Sequence, residues 1–289
     1  MDSSPLSNIK RSFALDEIRG LEYFRSVKWV ETIDSTNREL AKQVREQAIE
    51  LPALLVSDSQ SAGVGRGANQ WWSPSGCLMF SMAVPISSPS QDGDADASQT
   101  RSGTPSALLP LRVGFAIAEC AESLCTSKPL VKWPNDVYIA GKKVCGILIE
   151  TIPQYSAGQS VAIIGIGLNC SVDFADAPLS LQQNATSLHR WSKSANAEST
   201  SVESVLVHFL HRWIANEQRQ LESPDWLVSE WPNRSLLDNQ WVEIKHASGV
   251  TRGRCLGIDK SGALLIQNEQ LEQTAVLAGT VEAFRPLYE

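Results

Sequence analysis

The sequence predicts an α+β fold: a mixed-sheet domain over residues 27–235 and a small β-barrel over 236–289, preceded by a tail and short helix, 1–26. Three observations carry this. Long apolar β-branched runs alternate with helical patterns up to about residue 221. From Gln240 the pattern changes to five short strand-like runs joined by Ser-Gly turns, the signature of a small barrel. The composition, 43% hydrophobic and 20% charged over 289 residues, is that of an ordinary globule long enough to bury a real core.

In chain order, a short amphipathic stretch from Leu15 to Phe24 reads as one helix. Val27–Thr32 reads as a strand, Asp34-Ser35 as a turn, and the following segment to about Ile49 as a helix with Ser, Thr and Asn available as caps and Leu40, Ala41, Val44 and Ala48 on one face. ALLVSDSQ and CLMFSMAVPI are buried strands on either side of a Gly-rich loop, SAGVGRGANQWWSPSG. Residues 87–106, rich in Ser, Asp, Gly and Pro, read as a mobile surface insertion. Ala107–Leu124 is an apolar helix, and VKWPNDVYIAGKKVCGILIET is a strand, a loop and a hairpin turning at Ala140-Gly141. SVAIIGIGLNC is the most β-branched run and should be the central strand. Val202–Leu221 is a helix, Trp226–Trp231 a helix or turn, and the boundary of the barrel falls between Asn233 and Asn239.

The charge balance, 25 basic against 32 acidic residues, leaves no basic face for duplex nucleic acid. No apolar run is long enough for a membrane helix, and no secretory h-region is visible. The six cysteines form no C-x-x-C pair and read as buried thiols of a reducing cytosol.

Two segments have the residue types of an anion site. Gly63, Gly65 and Gly67 surround Arg66, either as a tight strand connection or as backbone amides and one guanidinium wrapped around a phosphate. The loop is neither a Walker A motif nor a dinucleotide fingerprint, since Trp71, Trp72 and Pro74 follow it. Those tryptophans are either core or a platform for a flat heterocycle. In KWPND, Lys132 is either a solvated lysine or a charge fixed beside a phosphate, and Asn135 and Asp136 are either turn residues or help hold a metal–nucleotide complex. His208 and His211 lack partners in metal-ligand spacing, and no protein metal site is expected.

The D-S-T-N turn at Asp34–Asn37, Q-x-x-G-x-G-R at Gln60–Arg66, W-x-S-P-x-G at Trp71–Gly76, KWPND at Lys132–Asp136, KxxGIL(x)E at Lys143–Glu150, GIGLN at Gly165–Asn169 and GIDKSGALL at Gly257–Leu265 occur in one order. Together they make the chain resemble the biotin protein ligases, the family that attaches biotin to a lysine of carrier domains. The resemblance implies a catalytic domain of the biotin/lipoate ligase type with an SH3-like C-terminal barrel. It implies activation of biotin with ATP and Mg2+ to biotinyl-5'-AMP, followed by transfer to a biotin carboxyl carrier protein.

By position, it assigns Ser35, Thr36, Asn37 and Gln60 to the biotin ureido region. Gly63, Val64, Gly65 and Arg66 close over the carboxylate and phosphate, Trp71 stacks on adenine, and Lys132 bridges carboxylate and α-phosphate. Asn135 and Asn169 lie near the nucleotide, and Gly146, Ile147 and Leu148 line the biotin tail pocket. Val64 stands where many members have Arg, which leaves Arg66 and Lys132 to retain the adenylate. About 30 residues precede the turn, so the monofunctional type, without an N-terminal DNA-binding domain, is expected. Lys128, Lys142 and Lys143 are the expected basic patch for the carrier, and the loop Gly63–Asn69 is expected to be mobile before ligand. A homodimer is left open, and the location is expected to be cytoplasmic. The alternatives are a lipoate-type ligase and a non-catalytic biotin or biotinyl-adenylate binder.

Overall fold

A computed structural model describes residues 5–67, 69–87, 107–156 and 159–285. Helix α1 (Pro5–Gly20) leads into strand β1 (Ser26–Ile33), helix α2 (Thr36–Arg45), β2 (Ala53–Gln60) and β3 (Cys77–Ser87). Helix α3 (Leu109–Leu124), β4 (Pro129–Lys132), β5 (Asp136–Ile139), β6 (Lys142–Ser156) and β7 (Gln159–Asn169) follow, then α4 (Leu179–Asn184), α5 (Val202–Glu222) and α6 (Trp226–Arg234). The C-terminal strands are β8 (Trp241–His246), β9 (Gly249–Ile258), β10 (Leu264–Gln267), β11 (Gln273–Val276) and β12 (Thr280–Arg285). The expected insertion, apart from Ser87 at the end of β3, lies outside the described residues.

The first sheet has seven strands in the order β1-β2-β3-β7-β6-β5-β4, with only β1 and β2 parallel, joined through α2. The β-branched run is its middle strand, as its composition requires. The second sheet, β11-β10-β9-β8-β12, is antiparallel; its edge strands β11 and β12 do not pair with each other, so the SH3-like barrel is open rather than closed.

Two helices differ from expectation. α1 ends at Gly20, before a left-handed Glu22, instead of running to Phe24, and α2 stops at Arg45, with Gln47 at positive φ. The N-cap of α2 also differs: Ser35 makes no side-chain cap, and the Thr36 amide donates instead to Gln60 Oε1 at 2.8 Å. The polar residues of this turn are thereby committed to the cavity described below rather than to the helix end.

Strand alternation divides the sheet into two different faces. Leu78, Phe80 and Met82 of β3 and Ile164, Ile166 and Leu168 of β7 pack with Phe115 of α3 and Phe209 of α5 in the main core. On the opposite face, Ala83, Val161 and Ile163 pack with Leu40, Ala41 and Val44 of α2 at one end. Cys77 and Met79 pack with Val172, Trp71 and Trp72 at the other. Between them the register aligns Ser81, Gly165 and Leu148 in one row and Met79, Gly167 and Gly146 in the next. Glycine in both rows removes the side chains that would otherwise fill this stretch of sheet.

Among the described residues, Arg112 is the one charged side chain buried at the main core. Arg112, 4% exposed, donates to Glu217 across the α3–α5 contact and lies over the Trp213 ring at 5.8 Å. Burial pushes the Glu217 carboxyl up and the Arg112 guanidinium down. Glu217→Ala takes a carboxylate partner from the buried guanidinium and should cost about 3 kcal/mol, read as a lower urea midpoint with unchanged m-value.

Candidate active site

The gap on the second face is a cavity of about 650 Å³, within the range of small-molecule sites. Its floor is the two glycine rows, its inner end the start of α2, and its walls the 63–72 loop, the KWPND turn and β12.

At the inner end the Ser35, Thr36 and Asn37 side chains are buried. Asn37 lies directly over Gly165, where a Cβ would meet its Oδ1 at 2.1 Å. Ser81 Oγ is 2.7 Å from Thr36 Oγ1 and 2.6 Å from Asn37 Oδ1, and Asn37 Nδ2 donates to Glu150 Oε2 at 3.1 Å. This cluster places hydroxyl and amide groups at the inner end of the slot.

In the middle, Trp71 lies on Gly146 and Gly167; a Cβ on Gly167 would come within 2.3 Å of its Cε2. The indole N–H donates to Cys77 Sγ at 3.2 Å. Burial pushes that thiol up to about 12, which keeps it neutral and unreactive. Ile147 carries its backbone past the slot, its N–H donating to the Asn135 carbonyl at 2.9 Å, and Asn135 Nδ2 donates to the Ile147 carbonyl at 2.7 Å. Asn169 is buried by a bond from Nδ2 to the Thr186 carbonyl at 3.1 Å.

The outer end is cationic. Lys132 reaches the Val281 carbonyl at 3.5 Å, and burial lowers its pKa while Asp136 works against the shift. Lys143 Nζ is 2.6 Å from Asp136 Oδ1, an ion pair rather than an aligned hydrogen bond, and 5.8 Å from the Trp71 ring centre. Arg66 donates to Asn135 Oδ1 at 3.3 Å and to the Gly279 carbonyl at 2.5 Å. Three cations thus line the outer end, where Asp136 is the one carboxylate among the described lining residues, a setting suited to a polyanion.

Every residue assigned from the sequence to the biotin and nucleotide site lines this cavity except Gly63. Gly63 faces Trp71 instead, since a Cβ there would lie 2.9 Å from the Trp71 carbonyl oxygen. The 63–70 loop has its own anchors: a Val64–Gln70 bridge, Gly65 N–H to the Asn69 carbonyl at 2.8 Å, and Trp71 N–H to the Gly63 carbonyl at 3.1 Å. Lys143, expected on an outer patch with Lys128, points into the cavity, while Lys128 is exposed elsewhere. Sequence reasoning also missed Ser81, Gly165, Gly167 and the β12 residues Thr280 and Val281. Gly165 and Gly167, spaced by two on one strand, were detectable as a bare strip on one face; the approach of β12, more than 130 residues from KWPND, had no local signal.

Residues 29–169 match the model of the biotin/lipoate A/B protein ligase family. The chain therefore carries a domain of this family. The matched segment contains every cavity residue expected from the sequence. Among similar proteins of this family, the bifunctional ligase/repressor BirA of Bacillus spizizenii is 29% identical over 83% of this chain and 69% of that one. The biotin--[acetyl-CoA-carboxylase] ligase of Paracoccus denitrificans is 26% identical over 81% of this chain and 91% of its own length. The biotin protein ligase of Aquifex aeolicus, solved with biotin and ATP, superposes with a TM-score of 0.69 at 26% identity, covering 91% of this chain and 100% of that one.

Proposed function

We propose that the chain is a biotin protein ligase that makes biotinyl-5'-AMP from biotin and ATP and passes the biotinyl group to a lysine of a biotin carboxyl carrier domain. The observation that carries this reading is one cavity with a hydrogen-bonding inner end, an aromatic-walled middle and a cationic outer end. Biotinyl-adenylate has the matching order: a urea ring, an apolar tail, then a phosphate with a flat base.

In this reading Ser35, Thr36 and Gln60 bind the urea ring, and Gly146, Ile147 and Leu148 line the tail. The biotin carboxylate oxygen attacks the α-phosphorus of ATP and pyrophosphate leaves, with magnesium arriving as part of the nucleotide substrate. Lys132 and Lys143 hold the negative charge that gathers at the phosphorus, and Asp136 fixes the Lys143 ammonium. Most of the acceleration is positioning and charge stabilisation, since no protein nucleophile is required. The carrier lysine then attacks the acyl carbon, the bond to AMP breaks, and an amide forms. Trp71 stacks on adenine, and Asn135 and Asn169 border the nucleotide.

Val64 adds no charge to the loop, so Arg66 is the loop's one cation over the intermediate. Arg66→Gly should release biotinyl-5'-AMP into solution, read as more biotin on bystander lysines than wild type gives. The six free cysteines support a reducing, cytoplasmic setting, and no described helix is long and apolar enough to cross a membrane. The acidic balance disfavours a nucleic-acid partner. The test of function is ATP–pyrophosphate exchange driven by biotin. Exchange with lipoate but not biotin would make the chain a lipoate-type ligase, and binding of biotin without any exchange would make it a sensor.

A further inference from the structure

Glu150 is an exposed residue outside the cavity, yet it is joined to the cavity's inner end by an unbroken chain of polar contacts. The hydrogens in that chain can be assigned from donor and acceptor chemistry alone. Asn37 Nδ2 faces two groups that only accept, Glu150 Oε2 at 3.1 Å and the Leu148 carbonyl at 3.5 Å. The amide NH2 must therefore point toward β6 and its oxygen toward β3.

The consequence passes along the row. Asn37 Oδ1 accepts the one hydroxyl hydrogen that Ser81 has, at 2.6 Å. That hydrogen cannot also serve the 2.7 Å contact between Ser81 Oγ and Thr36 Oγ1, so there Thr36 donates and Ser81 accepts. The 3.3 Å contact from Thr36 Oγ1 to Gln60 Oε1 then carries no hydrogen. Thr36, its proton committed to Ser81, offers the cavity only lone pairs. Gln60 Oε1 is held by the Thr36 amide at 2.8 Å, which leaves its NH2 as the donor. An acceptor and a donor thus stand side by side, with the order complementary to an N–H adjoining a carbonyl.

We propose that Glu150 is a positioning residue that, through Asn37 and Ser81, sets the donor–acceptor polarity of the inner end and so its selectivity for a cyclic urea. This rests on the assignment of that end to the biotin ring. Gly165 is the seat of the device, since any Cβ there would collide with Asn37. A dithiolane ring, which has neither N–H nor carbonyl, gains nothing from this polarity.

The test exploits the reversibility of the chain. In Glu150→Lys the neighbour of Asn37 becomes a pure donor, which favours the flipped amide, makes Ser81 donate to Thr36 and frees the Thr36 hydrogen to turn toward Gln60 Oε1, changing the polarity offered to the ring. Glu150→Gln keeps an acceptor. In biotin-driven pyrophosphate exchange, E150K should raise the KM for biotin about tenfold, equivalent to roughly 1.4 kcal/mol, with kcat and the KM for ATP within twofold of wild type. E150Q should stay within about twofold for all three. Ser81→Ala breaks the chain in its middle and alone should raise the KM for biotin several-fold, which tests the device without E150K if that variant folds poorly; in the double variant E150K should add little to it. An unchanged biotin KM in E150K, an E150Q defect equal to that of E150K, or additive losses in the double variant would overturn the proposal. If wild-type exchange does not respond to biotin, the assignment of the cavity itself fails and the proposal with it.

Discussion

Lys132→Ala is expected to slow biotin-dependent pyrophosphate exchange about 100- to 1,000-fold at saturating biotin and ATP, the usual loss for a preorganised group that meets charge developing in a transition state. Lys132 leaves the end of β4, a four-residue strand paired with β5, so its ammonium is fixed by sheet geometry rather than by a flexible loop. Its half-buried stem and the neighbouring Asp136 hold it at the cavity's cationic end. Biotin affinity, measured separately by calorimetry, should fall by much less than the rate, because Lys132 meets only the carboxylate while the urea ring binds at the other end of the slot. Exchange at the wild-type rate would remove Lys132 from the chemistry and leave Lys143 as the group that carries it.

Gly167→Ala is expected to raise the KM for ATP at least tenfold. The added methyl would sit 2.3 Å from Trp71 Cε2 and 2.6 Å from Nε1, far inside contact distance, so the indole has to leave the floor and give up its bond to Cys77. A base–aromatic stack is worth roughly 1–3 kcal/mol, and overpacking at the same site costs about 1–3 kcal/mol of stability. The paired readings are exchange kinetics and a urea melt, with tryptophan emission reporting the displaced ring. An unchanged KM for ATP in a variant whose melt has shifted would mean that Trp71 is a core residue and not the adenine platform.

Much of the fold was legible because its signals are local. Alternation and β-branching marked β2, β3 and β7, the Ala140-Gly141 turn marked the β5–β6 hairpin, and spacing by Ser-Gly turns marked the second sheet. The site was legible as a set of motifs, but the division of labour inside it was not. Lys143 and Lys128 look alike as lysines in polar surroundings; only the β5–β6 pairing, which sets Lys143 opposite Tyr138 with its ammonium within reach of Asp136, separates them. The Ser-Thr-Asn turn had the composition of a helix cap, and its use in the cavity depends on Ser81 and Glu150, which reach it from β3 and β6. Gly63 was grouped with the phosphate loop because a glycine count cannot tell a backbone that faces ligand from one that faces a tryptophan. The open edge between β11 and β12 likewise depends on pairing across the sheet, which strand patterns alone leave undetermined.

The most direct measurement is a crystal structure of this protein with biotin and a non-hydrolysable ATP analogue. The urea ring should lie between Thr36 and Gln60, the carboxylate and α-phosphate should meet at Lys132 and Lys143, and adenine should cover Trp71. Biotin bound in the reverse direction, or outside the slot between α2 and Trp71, would contradict this account of the cavity.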